Sequence, residues 1–216
     1  MNVRIRPATA ADAAFLAITT LIASRSHVNW GIFDVLFPRS EELRLRFVER
    51  MVTAEPRSFH HYVHFLVAEV GGQPAAALCA FTEDARIWDD LQQARTSVVR
   101  ALGIDEDEWA AAEERAAPAR ALAASASAPI GAWEVEWVGT LPQYRRRGLV
   151  NGLLKAILEK GLRTGHSLAE VSVLIGNYPA QRAYEHAGFV TYEDYCSPEF
   201  EVLMRAPGGR KLRQML

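Results

Sequence analysis

The chain has 216 residues but only two cysteines, Cys79 and Cys196, with no CxxC pair. That scarcity excludes a disulfide framework and a cysteine-built zinc site, and it fits a reducing, cytoplasmic setting. No run approaches the roughly 18 apolar residues of a membrane span, and the opening Met1-Asn2-Val3-Arg4-Ile5-Arg6-Pro7 has no apolar signal core. A soluble protein with no membrane partner is therefore expected. Neither charge sign is in excess, since 24 Lys and Arg face 26 Asp and Glu for a net charge of -2. Without a global positive field, nucleic acid is not an expected partner. The patterns GxGxxG and GxxxxGK(S/T) are both absent, which argues against dinucleotide and P-loop sites. His60, His61 and His64 have no acidic partner to complete a metal site, and no metal is expected.

What remains is ordinary globular usage, half hydrophobic and 23% charged, in a length that suits one domain with an insertion. Val3 and Ile5 alternate with Arg4 and Arg6 as in a strand, and Thr9 to Asp12 reads as a helix start leading to about Ser24. Ser40-Glu41-Glu42-Leu43 opens a second helix that ends before Pro56, and the segment from His27 to Pro38 between them reads as a loop. Val63 to Val70 and Pro74 to Phe81 form a hairpin through Gly71-Gly72-Gln73. Ala85 to Leu102 and Asp107 to Ala124 read as helices, the second interrupted by Pro118. With the small-residue linker Ser125 to Gly131 they make an insertion over about 85–131, before the fourth strand.

That strand, Ala132 to Thr140, alternates with Trp133, Val135 and Trp137 on one side and Glu134, Glu136, Val138 and Thr140 on the other. A helix from Gly148 to Arg163, a strand from Ala169 to Ile175, a helix opened by Pro179, and strands at Phe189 to Tyr195 and Glu199 to Arg205 complete the order. Such an order predicts an α+β fold, a mixed, partly antiparallel central sheet flanked by helices.

Two segments carry chemistry. Val138-Gly139-Thr140-Leu141-Pro142-Gln143-Tyr144-Arg145-Arg146-Arg147-Gly148-Leu149-Val150-Asn151 runs from a strand through a turn into a helix. A helix start has free N–H groups at its positive end and can hold a phosphate, with Gly148 allowing close approach and three arginines adding charge. The same residues read equally well as a solvated basic run and a turn glycine. Downstream, Asn177-Tyr178-Pro179-Ala180-Gln181-Arg182-Ala183-Tyr184-Glu185-His186-Ala187-Gly188-Phe189 is a short helix that places Ala180 and Tyr184 on one face. Spacing alone makes Tyr184 a packed aromatic more readily than an acid.

Taken together these segments resemble the GNAT superfamily of acyl-CoA-dependent N-acetyltransferases. The family pattern Q/R-x-x-G-x-G/A is matched by Arg145 to Val150, with Val150 standing where glycine or alanine is usual. Its N-x-x-A-x-x-x-Y-x-x-x-G-F pattern is matched by Asn177, Ala180, Tyr184, Gly188 and Phe189, and Ile5 to Asp12 looks like its first strand and helix. The resemblance covers nearly the whole chain outside about 85–131 and implies one GNAT-like domain over 1–216.

It also implies transfer of an acetyl group from acetyl-CoA to a primary amine by direct attack in a ternary complex. Backbone groups of Val138 and Thr140, flanking Gly139, would hold the pantetheine arm, and the Val138 N–H would polarise the thioester. Amides from Arg146 to Asn151 would hold the diphosphate beside Arg145 and Arg147. Asn177 would contact the cofactor arm, and Tyr184 would protonate the departing thiolate. Glu134 or Glu136 would take the amine proton, Glu134 being slightly favoured by family spacing. In relatives the segment joining the first two helices often lines the acceptor site, which makes His27, Trp30 and Asp34 candidate acceptor contacts for a small-molecule or peptide amine; a packed or dimer-forming loop is the equal alternative. A CoA-binding regulatory or interaction module without turnover is the rival to an enzyme.

Overall fold

A computed structural model describes residues 2–125 and 128–216. One seven-stranded sheet carries the chain, in the order β1-β2-β3-β4-β5-β7-β6. Its strands are β1 (Val3–Pro7), β2 (Phe65–Val70), β3 (Gln73–Thr82), β4 (Trp133–Thr140), β5 (Leu168–Leu174), β6 (Val190–Cys196) and β7 (Gly208–Met215). All neighbours are antiparallel except β4 and β5. The expected mixed sheet flanked by helices is thus present. The helices are α1 (Ala13–Arg25), α2 (Ile32–Leu36), α3 (Glu41–Val52), α4 (Ala85–Ala101), α5 (Glu106–Ser125), α6 (Leu149–Arg163), α7 (Tyr178–His186) and α8 (Pro198–Met204).

Local chemistry explains most boundaries. The Ser40 hydroxyl accepts from the Leu43 N–H at 3.0 Å and caps α3, with Glu41 and Glu42 in its first turn. Gly71 and Gly72 both take positive φ, 59° and 82°, and close the two-residue β2–β3 turn that a right-twisted hairpin favours. On one sheet face α6 seats Leu153, Leu154 and Ile157 against Leu78, Ala80 and Val135; each such fully buried large aliphatic side chain contributes about 1.5–3 kcal/mol. The opposite face is covered by α1 and α3. Among the described residues no helix is long and apolar enough to cross a membrane.

Four local expectations are corrected. Pro118 lies inside α5 rather than interrupting it. Its ring costs one helical hydrogen bond, but Ala112, Ala116 and Ala119 on one face of the helix are buried in the cluster shared with α2 and α8, and that packing carries the helix through. Helices α4 and α5 together sit in this apolar cluster with α3. Of the linker expected from Ser125 to Gly131, residues 126 and 127 lie outside the described residues.

The strand expected at Glu199 to Arg205 is instead α8, because Ser197 caps it by accepting from the Phe200 N–H at 3.2 Å, Pro198 opens it, and Phe200 and Met204 bury one turn apart. The final strand is β7, where charged residues hide the alternation. Within the loop from His27 to Pro38, residues Ile32–Leu36 form α2, started by the Asp34 carboxylate accepting from the Gly31 N–H at 2.9 Å.

The fourth correction positions the site. Between β3 and β4 the register jumps from Ala77↔Gly139 to Cys79↔Glu136, so two residues of β4 oppose one of β3. Trp137 takes φ of 52°, the signature of a bulge. The alternation therefore changes phase: Trp137 joins the face of Glu134 and Glu136 and packs on Phe33, Phe59 and His60, while Val138 turns to the α6 face with Trp133 and Val135.

Candidate functional site

The parallel strands β4 and β5 pair only at Trp133↔Ala169, Glu134↔Glu170 and Val135↔Val171. Beyond Val135 they part, leaving that edge of β4 without a strand partner, and a cleft opens between them. It holds two adjoining cavities of about 640 Å³ and 220 Å³ that share Ala23, Ser26, Val138, Asn177, Ala180 and Tyr184 as walls.

The larger cavity is built on the start of α6. Gly148 caps the helix in the left-handed region, at φ 73° and ψ 10°, a conformation that costs a side-chain-bearing residue about 1–2 kcal/mol. A Cβ there would meet nothing within 4 Å, so the helix end faces open space. The first backbone bond of the helix runs from the Gly152 N–H to the Gly148 carbonyl at 3.2 Å; the amides of Leu149, Val150 and Asn151 precede it and have no acceptor within the helix. Exposed Arg145, Arg146 and Arg147 surround this end. Arg145 Nε donates to the Thr140 carbonyl at 3.4 Å and Arg147 Nη2 to the Gln143 carbonyl at 3.1 Å. Positive dipole, free amides and guanidinium groups converge on one open surface, the donor set a diphosphate requires. Val150 fits it, because its isopropyl group packs against the apolar cluster of Leu153 and Leu154. The Thr140 hydroxyl is buried in the same wall and has no hydrogen-bond partner among the described residues.

Tyr184 stands where the cavities meet, buried and edge-on to Phe189 at 6.3 Å. Burial, reinforced by the negative charge of Glu136, holds its phenol well above the usual 10, so the hydroxyl keeps its proton and can donate it. Asn177 ties the two sides of the cleft together: its Oδ1 accepts from the Ala180 N–H at 3.3 Å and its Nδ2 donates to Ser26 Oγ at 2.7 Å. That joins the start of α7 to the end of α1.

The smaller cavity contains Glu136. Burial pushes its carboxyl up to about 7, against the opposing pull of the Trp137 N–H and Lys211, while Glu83 adds to the rise. It can therefore exchange a proton near neutrality. Glu134 is elsewhere: it is buried, lines neither cavity, and lies beside Glu170 in the β4–β5 register. Lys211 Nζ donates to Glu170 Oε2 at 3.1 Å, as does the Tyr192 hydroxyl at 2.9 Å. Glu134 Oε2 has no hydrogen-bond partner among the described residues, and burial followed by the charge of Glu136 drives its carboxyl strongly upward.

The remaining sequence candidates divide. His27 lines the larger cavity, its Nδ1 3.3 Å from Ser26 Oγ. Gly139 lines neither; a Cβ there would lie 2.4 Å from the Thr19 carbonyl oxygen, so the glycine lets α1 press onto β4. Asp34 is buried in ion pairs with Arg25 at 2.8 Å and Arg44 at 3.2 Å and does not reach the cleft. Trp30 donates to the Leu203 carbonyl at 3.0 Å and carries Arg205 over its ring, in a separate groove beside Pro118 and Val202.

Residues missed from sequence complete the smaller cavity: Ser172 of β5, Tyr195 of β6, Ile32 of α2 and Met204 of α8. Burial pushes the Tyr195 phenol up to about 12, contact with Ser172 opposing and Glu136 adding to it. A signal for Ser172 existed in β5, where Glu170 and Ser172 interrupt an apolar strand at a spacing of two and so share a face. Met204 arrives through α8, where a strand was expected, and Tyr195 lies on β6, a strand that was expected but not linked to the cleft.

The family model for the Acetyltransferase (GNAT) family matches residues 30–189. No curated protein sequence matches the chain. Among solved structures, an N-acetyltransferase from Staphylococcus aureus Mu50 superposes with a TM-score of 0.65 at 18% identity, over 98% of this chain and 100% of that one. The Drosophila melanogaster polyamine N-acetyltransferase, which catalyses formation of N-acetylagmatine, does so with a TM-score of 0.60 at 17% identity over 100% of both chains. Salmonella typhimurium yncA, solved with its cofactor acetyl-CoA, gives 0.56 at 14% identity over 100% of this chain and 95% of that one.

Proposed function

Because the chain belongs to the acetyltransferase (GNAT) family, we propose that it moves an acetyl group from acetyl-CoA to the primary amine of a small acceptor, both substrates being bound together in the β4–β5 cleft. The observation that carries this reading is the pairing, at one junction, of an open helix start and a proton donor: Gly148 and the amides after it at one end of the larger cavity, Tyr184 at the other.

Acetyl-CoA supplies an activated thioester carbonyl and a thiolate leaving group. The chain supplies the rest. Leu149, Val150 and Asn151 amides, with Arg145, Arg146 and Arg147, bind the diphosphate. The free edge of β4 at Val138 and Thr140 offers backbone donors and acceptors to the pantetheine amides, and the Val138 N–H stabilises developing negative charge on an oxygen. Glu136 takes a proton from an incoming ammonium, directly or through one water. As the C–N bond forms and the C–S bond breaks, Tyr184 gives its phenolic proton to the sulfur that leaves and is reprotonated by the second proton that the new amide nitrogen sheds. Glu136 is the base in this account rather than Glu134, since only Glu136 lines the acceptor cavity.

The test is thiol release from acetyl-CoA with and without a panel of primary amines, with the acetylated amine identified by mass spectrometry. Amine-dependent thiol release supports the reading. Binding of coenzyme A with no release for any amine would leave a binding module, and no binding at all would remove the cofactor site from this cleft.

A further inference from the structure

We infer that the acceptor is a small amine with a short apolar body and no carboxylate beside its amino group, an amine of the decarboxylated amino-acid type and not an amino acid. This rests on the acetyl-transfer reading above. It follows from what surrounds Glu136. The cavity there is about 220 Å³, smaller than typical drug-sized sites of about 300 Å³ and upward. Its lining combines polar groups, among them Glu136, Ser172 and Tyr195, with apolar ones, among them Ile32, Leu174 and Met204. Among the described residues that line it there is no lysine, arginine or histidine.

The neighbouring cations are engaged elsewhere. Lys211 lies behind the wall, only 2% exposed, with its ammonium on Glu170. Arg25, at the end of α1, is bound to Asp34 and Glu41. The arginines of the α6 turn line the other cavity. Behind half-buried Glu136 the sheet carries Glu134 and Glu170, both buried. An ammonium fits this surround. An α-carboxylate does not, because it is attached one carbon from the amine and must enter wherever the amine enters, bringing a second negative charge to a half-buried carboxylate with no cation among the described lining residues to neutralise it.

The experiment uses the wild-type chain and matched pairs that differ only by that carboxylate: phenethylamine with phenylalanine, tyramine with tyrosine, and isoamylamine with leucine. Phenylalanine methyl ester is added, because it keeps the bulk of the carboxylate and removes its charge. Initial rates of thiol release at fixed acetyl-CoA give kcat/KM for each. The amines should exceed their amino acids on the order of 100-fold, as expected for two like charges held close in a partly buried site, and the ester should recover most of the difference. A preference below about tenfold, or an ester as poor as phenylalanine itself, would overturn the charge argument while leaving acetyl transfer intact. No turnover of any amine by a protein that binds coenzyme A calorimetrically would overturn the acceptor class. Absence of coenzyme A binding would instead overturn the reading on which it rests.

Discussion

Replacing Glu136 by glutamine should separate stability from activity, because one carboxyl proton serves both. Burial, with the added charge of Glu83, raises this carboxyl from 4.5 to about 7 against the favourable Trp137 N–H and Lys211. Between those values the folded chain holds a proton that the unfolded chain has released. The stability this group confers is therefore fully present below pH 4.5 and is lost as pH rises through 7. The displacement is worth about 3 kcal/mol, of which about 2.5 kcal/mol falls between pH 5 and pH 8. Glutamine keeps an acceptor oxygen for the Trp137 N–H and does not titrate. Relative to the Glu136→Gln variant, the wild type should lose about 2–3 kcal/mol between pH 5 and pH 8 in urea unfolding, or about 5–10 °C in Tm for a chain of this size. Over the same range wild-type kcat/KM should rise with pH through about 7, as the carboxyl ionises. The variant should lack that limb and be slower by about 10²–10⁴-fold. Equal pH dependence of stability in the two proteins, with the activity limb retained in the variant, would refute both the burial argument and the choice of base.

Further outcomes follow from single positions. Tyr184→Phe keeps the ring packed on Phe189 and removes the proton donor, so turnover should drop about 10²-fold or more with coenzyme A affinity nearly unchanged by calorimetry; unchanged turnover would remove the tyrosine from the chemistry. Gly148→Glu places a side chain on a left-handed cap and a negative charge at the α6 start, and it should abolish coenzyme A binding in the same calorimetric assay. Lys211→Met leaves Glu170 buried without its cation and should cost about 3–5 kcal/mol in denaturant unfolding, while Lys211→Met with Glu170→Leu should recover most of it.

Local rules made much of this fold legible. Ser40 before Glu41 and Glu42, the Gly71-Gly72 turn and Asn177 before Pro179 each specify an element end through contacts within three or four residues, and each lies where it was expected. The failures have a common cause in tertiary packing. Pro118 survives inside α5 because buried alanines hold the helix against α2 and α8, and β7 escapes notice because Lys211, which occupies a core position, pairs with Glu170 41 residues away.

The same division runs through the site. Gly148, Tyr184 and Asn177 sit in contiguous motifs and could be named from their resemblance to the family patterns, though not from spacing alone. The choice between Glu134 and Glu136 could not, since only the bulge at Trp137 and the parting of β4 from β5 decide which carboxylate meets the cleft. The resemblance to the family made Asp34 and Trp30 candidate acceptor contacts, yet ion pairs with Arg25 and Arg44 and a hydrogen bond to Leu203 commit them elsewhere.

The most direct measurement of the central claim is a crystal structure of the chain with coenzyme A bound. The account predicts diphosphate oxygens on the amides of Leu149 to Asn151, pantetheine along the free edge of β4, and sulfur within hydrogen-bonding reach of the Tyr184 hydroxyl. Coenzyme A seated away from the α6 start, or sulfur remote from Tyr184, would contradict it.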